Sequence, residues 1–181
     1  RIDVAKIKDV IGPGGKKINE IIAACDNVKI DIEQDGSIVI YHNEYEPLEK
    51  AAKMIEAIAK VATKPLDAHL MIEHPEKYVD RFAKVGVNML SFHLNAVENA
   101  GQVLAQIRAA GMKPGLAINP DIPVERLFPY LDQCDYVVLM SVFAGFGGQK
   151  FIEATYRRLS AVKEEIQRQG VTCMIQVDGG I

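Results

Sequence analysis

Cysteine is scarce and scattered. Cys25, Cys134 and Cys173 form no CxxC pair, and their number is odd. That argues against a disulfide framework and against a zinc site built on thiolates, and leaves buried free thiols in a reducing cytosol as the plain reading. Charge of one sign is also lacking. The formal net charge is -3, so no global basic field draws the 181-residue chain to nucleic acid or to a membrane surface. No apolar run is long enough to span a bilayer, and no stretch reads as a signal peptide. Short repeats, low-complexity segments and flexible linkers are absent too. A soluble cytoplasmic protein of one domain, or two small ones, is the expectation.

What is present changes character near residue 60. Val4–Ile11 reads as a short helix, and Gly12, Pro13, Gly14 and Gly15 break it. A second helix follows over Lys16–Ala24, with Ile18, Ile21 and Ile22 on one face. Val28, Ile30 and Ile32 alternate with charged residues as in a half-buried strand. Asp35-Gly36 marks a hairpin turn before a return strand over Ser37–Tyr41. A long amphipathic helix is expected over Glu46–Ala62.

From there the rhythm is strand, helix, strand. Strands are expected over Leu66–Ile72, Asn88–Asn95, Lys113–Asn119, Tyr136–Val142 and Cys173–Asp178. Helices are expected over Pro75–Val85, Val97–Ala110, Pro123–Leu131 and Ala154–Gln169. The strands are nearly continuous apolar runs, as in parallel strands covered on both faces. Five such strands in succession argue for an α/β fold with a parallel sheet or part of a barrel.

In the first part, "KIKDVIGPGGKKINEII" and "VKIDIEQDGSIVIY" resemble a KH domain, in particular that of polynucleotide phosphorylase. The resemblance implies a KH-like βααββα module over residues 1–59 that binds single-stranded RNA. Gly12, Pro13, Gly14 and Gly15 would form the GxxG loop that clamps the RNA backbone, with Lys16 and Lys17 beside it. Glycines let a backbone approach closely, and the following helix points its N-terminal amides at phosphate. The alternative is a plain helix–helix turn.

Residues 60–181 carry "KPLDAHLMIEHPEKYVDRFAKVG", "FHLNA", "LMSVFAGFGGQKFI" and "VDGGI". These segments resemble the ribulose-phosphate 3-epimerase family, a TIM barrel. The resemblance implies epimerisation beside a ketone, which needs two acid/base groups on opposite faces and an electrophile for the enediolate. A divalent metal (zinc, iron or manganese) would be that electrophile. His69 and Asp178 would be metal ligands, and Asp178 also a catalytic acid/base. Met71 and Met140 would line the reaction plane. Gly147, Gly148, Gly179 and Gly180 would place the sugar phosphate, within and beyond the loop that begins at Gly145. Met71 and Met140 also read as core residues, and His93 with Asn95 either as pocket-lining residues or as a satisfied half-buried pair. His42 and His74 read as surface residues.

The family's first two strands and its eighth find no counterpart. The expectation is therefore an incomplete (β/α) barrel segment of about five parallel strands, with half the metal ligands and one of two acid/base groups. A complete TIM barrel takes at least about 200 residues. A chimera of a KH module and an inactive barrel fragment follows, with RNA binding as its activity. The alternatives are a metal-dependent epimerase completed by strands from another chain, and a structural chimera with neither activity. Open sheet edges invite strand exchange or a homo-oligomer.

Overall fold

The computed structural model describes residues 11, 13, 16–24, 29–32, 38–41, 64–144 and 148–180. Helix α1 covers Lys16–Ala24, and strands β1 (Lys29–Ile32) and β2 (Ile38–Tyr41) pair antiparallel. The remaining elements are β3 (Asp67–Leu70), α2 (Val79–Lys84), β4 (Met89–His93), α3 (Ala100–Ala109), β5 (Lys113–Ile118), β6 (Tyr136–Met140), α4 (Ala154–Gln169) and β7 (Met174–Asp178). Strands β3 to β7 form one parallel sheet in sequential order. Strand β2 lies beside β3 without joining its ladder. The helices expected over Val4–Ile11 and Glu46–Ala62 lie outside the described residues, Ile11 excepted.

Alternation along each strand sorts the side chains between two faces. Leu70, Leu90, Phe92, Leu116, Ile118, Val137 and Leu139 point outward into the main core. There they meet Val103, Leu104 and Ile107 of α3 and Val162 of α4. The intervening positions point to the other face. Its apolar part is Ala117, Tyr136, Val138, Met140 and Val142, with Met71 and Met89 against it. Its polar part is Asp67, His69, Ser91, His93, Gln176 and Asp178, by the same alternation. So the sheet has a dry outer side under the helices and a mixed inner side, the arrangement of a barrel wall.

The helices begin and end where local chemistry dictates. The Asn99 side chain accepts from the Gln102 amide at 3.1 Å and caps α3. Gly170, at φ 67°, closes α4. Two expected helices are shorter than their apolar patterns. Pro123–Leu131 is instead two 3-10 turns, Val124–Arg126 and Phe128–Tyr130. Pro129 has no N–H to continue an α-helical ladder and disfavours the α conformation at the residue before it. Pro75–Val85 splits into a 3-10 turn, Pro75–Lys77, and the six-residue α2.

Candidate active site

The C-terminal ends of the parallel strands converge on one place. His69 comes from β3, His93 from β4, Met140 from β6 and Asp178 from β7. His69 Nδ1 lies 3.6 Å from Asp178 Oδ2. Its Nε2 lies 3.0 Å from His93 Nε2, and the two imidazoles stack with centroids 4.9 Å apart. His69 is buried, whereas the Asp178 side chain is 30% exposed.

The proton pattern follows from what each nitrogen faces. Burial, reinforced by neighbouring His69 and opposed by Asp178, pushes the His93 pKa down to about 3, so its ring is neutral. Only one of the facing Nε2 atoms carries hydrogen. His93 Nδ1 is buried with no partner. A bare nitrogen is left there if His93 Nε2–H donates to His69, which frees His69 Nδ1–H to point at the Asp178 carboxylate. Below the ordinary histidine value of 6.5, the unfolded chain takes up a proton that folded His93 refuses until about pH 3. The unfolded state then binds more protons, so stability falls as pH drops through that window. Urea unfolding at about pH 7 and about pH 4.5 is expected to show a smaller loss in His93→Asn than in the parent.

The end of β7 is locked to β6. The Ser141 hydroxyl is shared between the Asp178 carbonyl, at 2.8 Å, and the Gly179 carbonyl. The Ser141 amide also donates to the Asp178 carbonyl at 2.8 Å. Gly179 (φ 108°) and Gly180 (φ 71°) turn the chain where a side chain has no room. A Cβ on Gly180 would meet the Phe151 amide nitrogen at 2.6 Å, and one on Gly179 would meet Val142 at 2.2 Å. These glycines are thus required for close approach of the two strand ends, whatever else they bind. Gly148 is exposed with φ 73°. Gly147 lies outside the described residues.

Behind the strand ends stands Arg158 of α4. Its guanidinium donates to the carbonyls of Met140 (2.9 Å), Asn119 (2.8 Å) and Ile122 (3.4 Å). Asn119 Oδ1 in turn accepts from the Ala144 amide at 3.2 Å. Burial lowers the Arg158 pKa somewhat, with Asp121 opposing, and the group stays a cation. Two separate guanidinium nitrogens make these bonds, a spread that the single nitrogen of a lysine does not reproduce. Arg158→Lys is expected to lower stability by about 2 kcal/mol, the scale of hydrogen bonds to a charged group, read by thermal unfolding.

The ribulose-phosphate 3-epimerase family profile matches residues 14–181. The chain belongs to that family. It is 41% identical over 129 residues to the ribulose-phosphate 3-epimerase of Aquifex aeolicus, covering 71% of this chain and 58% of the relative. The Bacillus subtilis enzyme of that name is 36% identical over 165 residues, covering 88% and 76%. A chloroplastic ribulose-5-phosphate-3-epimerase from Arabidopsis thaliana is 34% identical over 170 residues, covering 92% and 58%. The chain spans a little over half the length of the Aquifex and Synechocystis relatives, 58% and 56%. A mutant tryptophan synthase α-subunit from Pyrococcus furiosus superposes on 72% of this chain at 18% identity and TM-score 0.49, too weak a likeness to bear on the assignment.

These matches correct the functional expectation. Single-stranded RNA binding through Gly12, Pro13, Gly14 and Gly15, with Lys16 and Lys17, is overturned: the relatives that match most of the chain are named epimerases. The family match starts inside the glycine loop and runs through the expected junction at residue 59, so nothing supports a KH module or a chimera. Pro13 and Lys16 are exposed, the Gly12, Gly14 and Gly15 positions lie outside the described residues, and so does the Lys17 side chain. Helix, glycine turn, helix and hairpin are local patterns that unrelated folds share.

The epimerase-type residues fare differently. His69 and Asp178 are brought together, with Met140 paired in register to Asp178. Met140 is buried and Met71 half-buried on the same inner cluster. His93 contacts His69 at 3.0 Å, while Asn95 is exposed. His74 is exposed, with Nδ1 3.2 Å from Glu76. One imidazole and one carboxylate suit a borderline divalent ion in donor type. Among the described residues, however, no group of three or more His, Cys, Asp or Glu side chains is placed to hold one. No helix among them is long and apolar enough to cross a membrane.

Proposed function

We propose that the inner mouth of this sheet is the proton-transfer end of a metal-dependent ribulose-phosphate 3-epimerase site, acting on a ketose phosphate such as ribulose 5-phosphate. The observation that carries it is the approach of His69 and Asp178 to 3.6 Å from opposite ends of the sheet, at the C-terminal ends of β3 and β7. Sites on this architecture form there.

Asp178 takes the proton from C3, the carbon next to the C2 ketone. The bonding pair moves into C2 and the negative charge onto the former carbonyl oxygen, giving an enediolate. Return of a proton to the opposite face of C3 gives the epimer, and that requires a second acid/base group across from Asp178. His69 and Asp178 would hold the divalent ion, and the ion supplies positive charge for the enediolate oxygen. Met71 and Met140 wall the reacting plane with groups that can neither give nor take a proton. Gly148, Gly179 and Gly180 would present backbone rather than side chain toward the phosphate.

The test is conversion of ribulose 5-phosphate to its C3 epimer by the purified full chain, with zinc, iron(II) or manganese added in turn. Turnover that requires one of these ions supports the reading. A folded chain with no turnover under any of them overturns it.

A further inference from the structure

The sheet's two outermost strands carry a second contact below the first. Asp67 is two residues before His69 on β3, and Gln176 two before Asp178 on β7. Residues two apart on a strand share a face. Two rungs therefore cross from β3 to β7. In the upper one His69 faces Asp178. In the lower one Gln176 Nε2 donates to Asp67 Oδ2 at 3.0 Å. The Tyr136 hydroxyl of β6 donates to the other oxygen, Oδ1, at 2.9 Å. Both oxygens of Asp67 are thus tied to strands on the far side of the sheet.

Strand spacing shows how much these ties span. Three strands separate β3 from β7. At about 4.8 Å per gap, a flat sheet would hold the two roughly 19 Å apart. They curl toward each other instead, and no ladder joins them. At this level, side chains bridge the opening. Tyr136 reaches across because β5 has a glycine under its ring: a Cβ on Gly115 would lie 2.3 Å from the ring carbon that bears the hydroxyl. Tyr136 is fully buried. Burial, then the nearby Asp67 charge, raises its pKa well above the usual phenol value, so the hydroxyl keeps its hydrogen.

We infer that Asp67 is a positioning residue: held by Gln176 and Tyr136, it fixes the distance between the inner faces of β3 and β7, and so the separation of His69 from Asp178. The inference rests on His69 and Asp178 being the site, as proposed above. It makes the lower rung directional, with acceptor on β3 and donor on β7. Exchanging the two, by Asp67→Asn with Gln176→Glu, keeps an amide-to-carboxylate bond and leaves an oxygen for Tyr136. Simple loss of packing has no such rescue.

The experiment is a set of crystal structures of the full chain, each with its melting temperature. In Asp67→Ala and in Gln176→Ala, the His69–Asp178 gap is expected to widen from 3.6 Å by about 1 Å or more, a displacement that costs on the order of 100-fold where reacting groups must be aligned. The exchanged pair is expected to restore the parent gap. Leu116→Ala, which empties the outer core behind β5, is expected to lower the melting temperature and leave the gap alone. Should Asp67→Ala not fold, Gln176→Ala, at a half-buried position on the outermost strand, carries the test. An unmoved gap in the single variants overturns the inference. So does failure of the exchanged pair to close it, or equal widening in Leu116→Ala. None of these readings needs turnover. A parent chain without epimerase activity sinks the functional reading alone, and an unmoved gap sinks the positioning role alone.

Discussion

Asp178→Asn is expected to remove turnover of ribulose 5-phosphate while leaving the fold in place. The amide has the carboxylate's shape but cannot accept a proton from carbon. Its amide oxygen can face His69 Nδ1 at the carboxylate's place, so the approach now at 3.6 Å needs no rearrangement. The bonds from Ser141 go to the backbone carbonyls of residues 178 and 179 and are untouched by the change. Loss of a positioned acid/base typically costs about 10² to 10⁴ in rate. The expected fall in kcat is therefore on the order of 10³-fold, with KM and melting temperature little changed. Steady-state kinetics and thermal unfolding on one preparation read both sides. A variant that keeps parent kcat removes Asp178 from the chemistry.

Gly115→Ala is expected to give a large loss of stability at a single site. The position is buried in the central strand of the five. The added methyl would lie 2.3, 2.5 and 2.7 Å from three carbons of the Tyr136 ring. That ring is not the loose end of a flexible chain. It is fully buried and tethered through its hydroxyl to Asp67. Relief means moving β5, or swinging Tyr136 out of its hydrogen bond. Overpacking of this kind costs about 3 kcal/mol. For a chain of this length that is a melting temperature lower by roughly 6 to 12 °C. Tyr136→Phe keeps the ring and drops the hydroxyl. It is expected to cost only about 1 to 2 kcal/mol alone and to leave the Gly115→Ala clash unrelieved.

Much of the parallel sheet can be read from the chain, because buried parallel strands are apolar runs bounded by helical patterns. All five observed strands fall inside the expected ranges, and α4 coincides with Ala154–Gln169. The division into two faces is harder to see. Tyr136 and Val137 look alike in an apolar run, yet one lines the inner face and the other the outer core. The signal that separates them is the polar residue at alternate positions. Asp67 and His69, or Gln176 and Asp178, mark one side of a strand whose other side is aliphatic. Read that way, Asp67 and Gln176 stand out as charged or polar groups on an inward face.

Asn119, Ser141 and Arg158 have no such signal. Their partners are backbone carbonyls and an amide that only the folded strand ends bring together. The RNA-binding expectation failed for the opposite reason. A glycine loop between helices is conspicuous in a short window, whereas the family relationship is spread over residues 14–181. His69 and Asp178 could be named as a pair from resemblance. Their approach depends on a curl of the sheet that no local pattern encodes.

Proton exchange at carbon reads the role of Asp178 most directly. The full chain, with added metal, is incubated with ribulose 5-phosphate in heavy water, and the C3 position is followed by proton NMR. Deuterium is expected to enter C3 with the parent chain and not with Asp178→Asn. Protium retained at C3 by a folded parent chain would contradict that role.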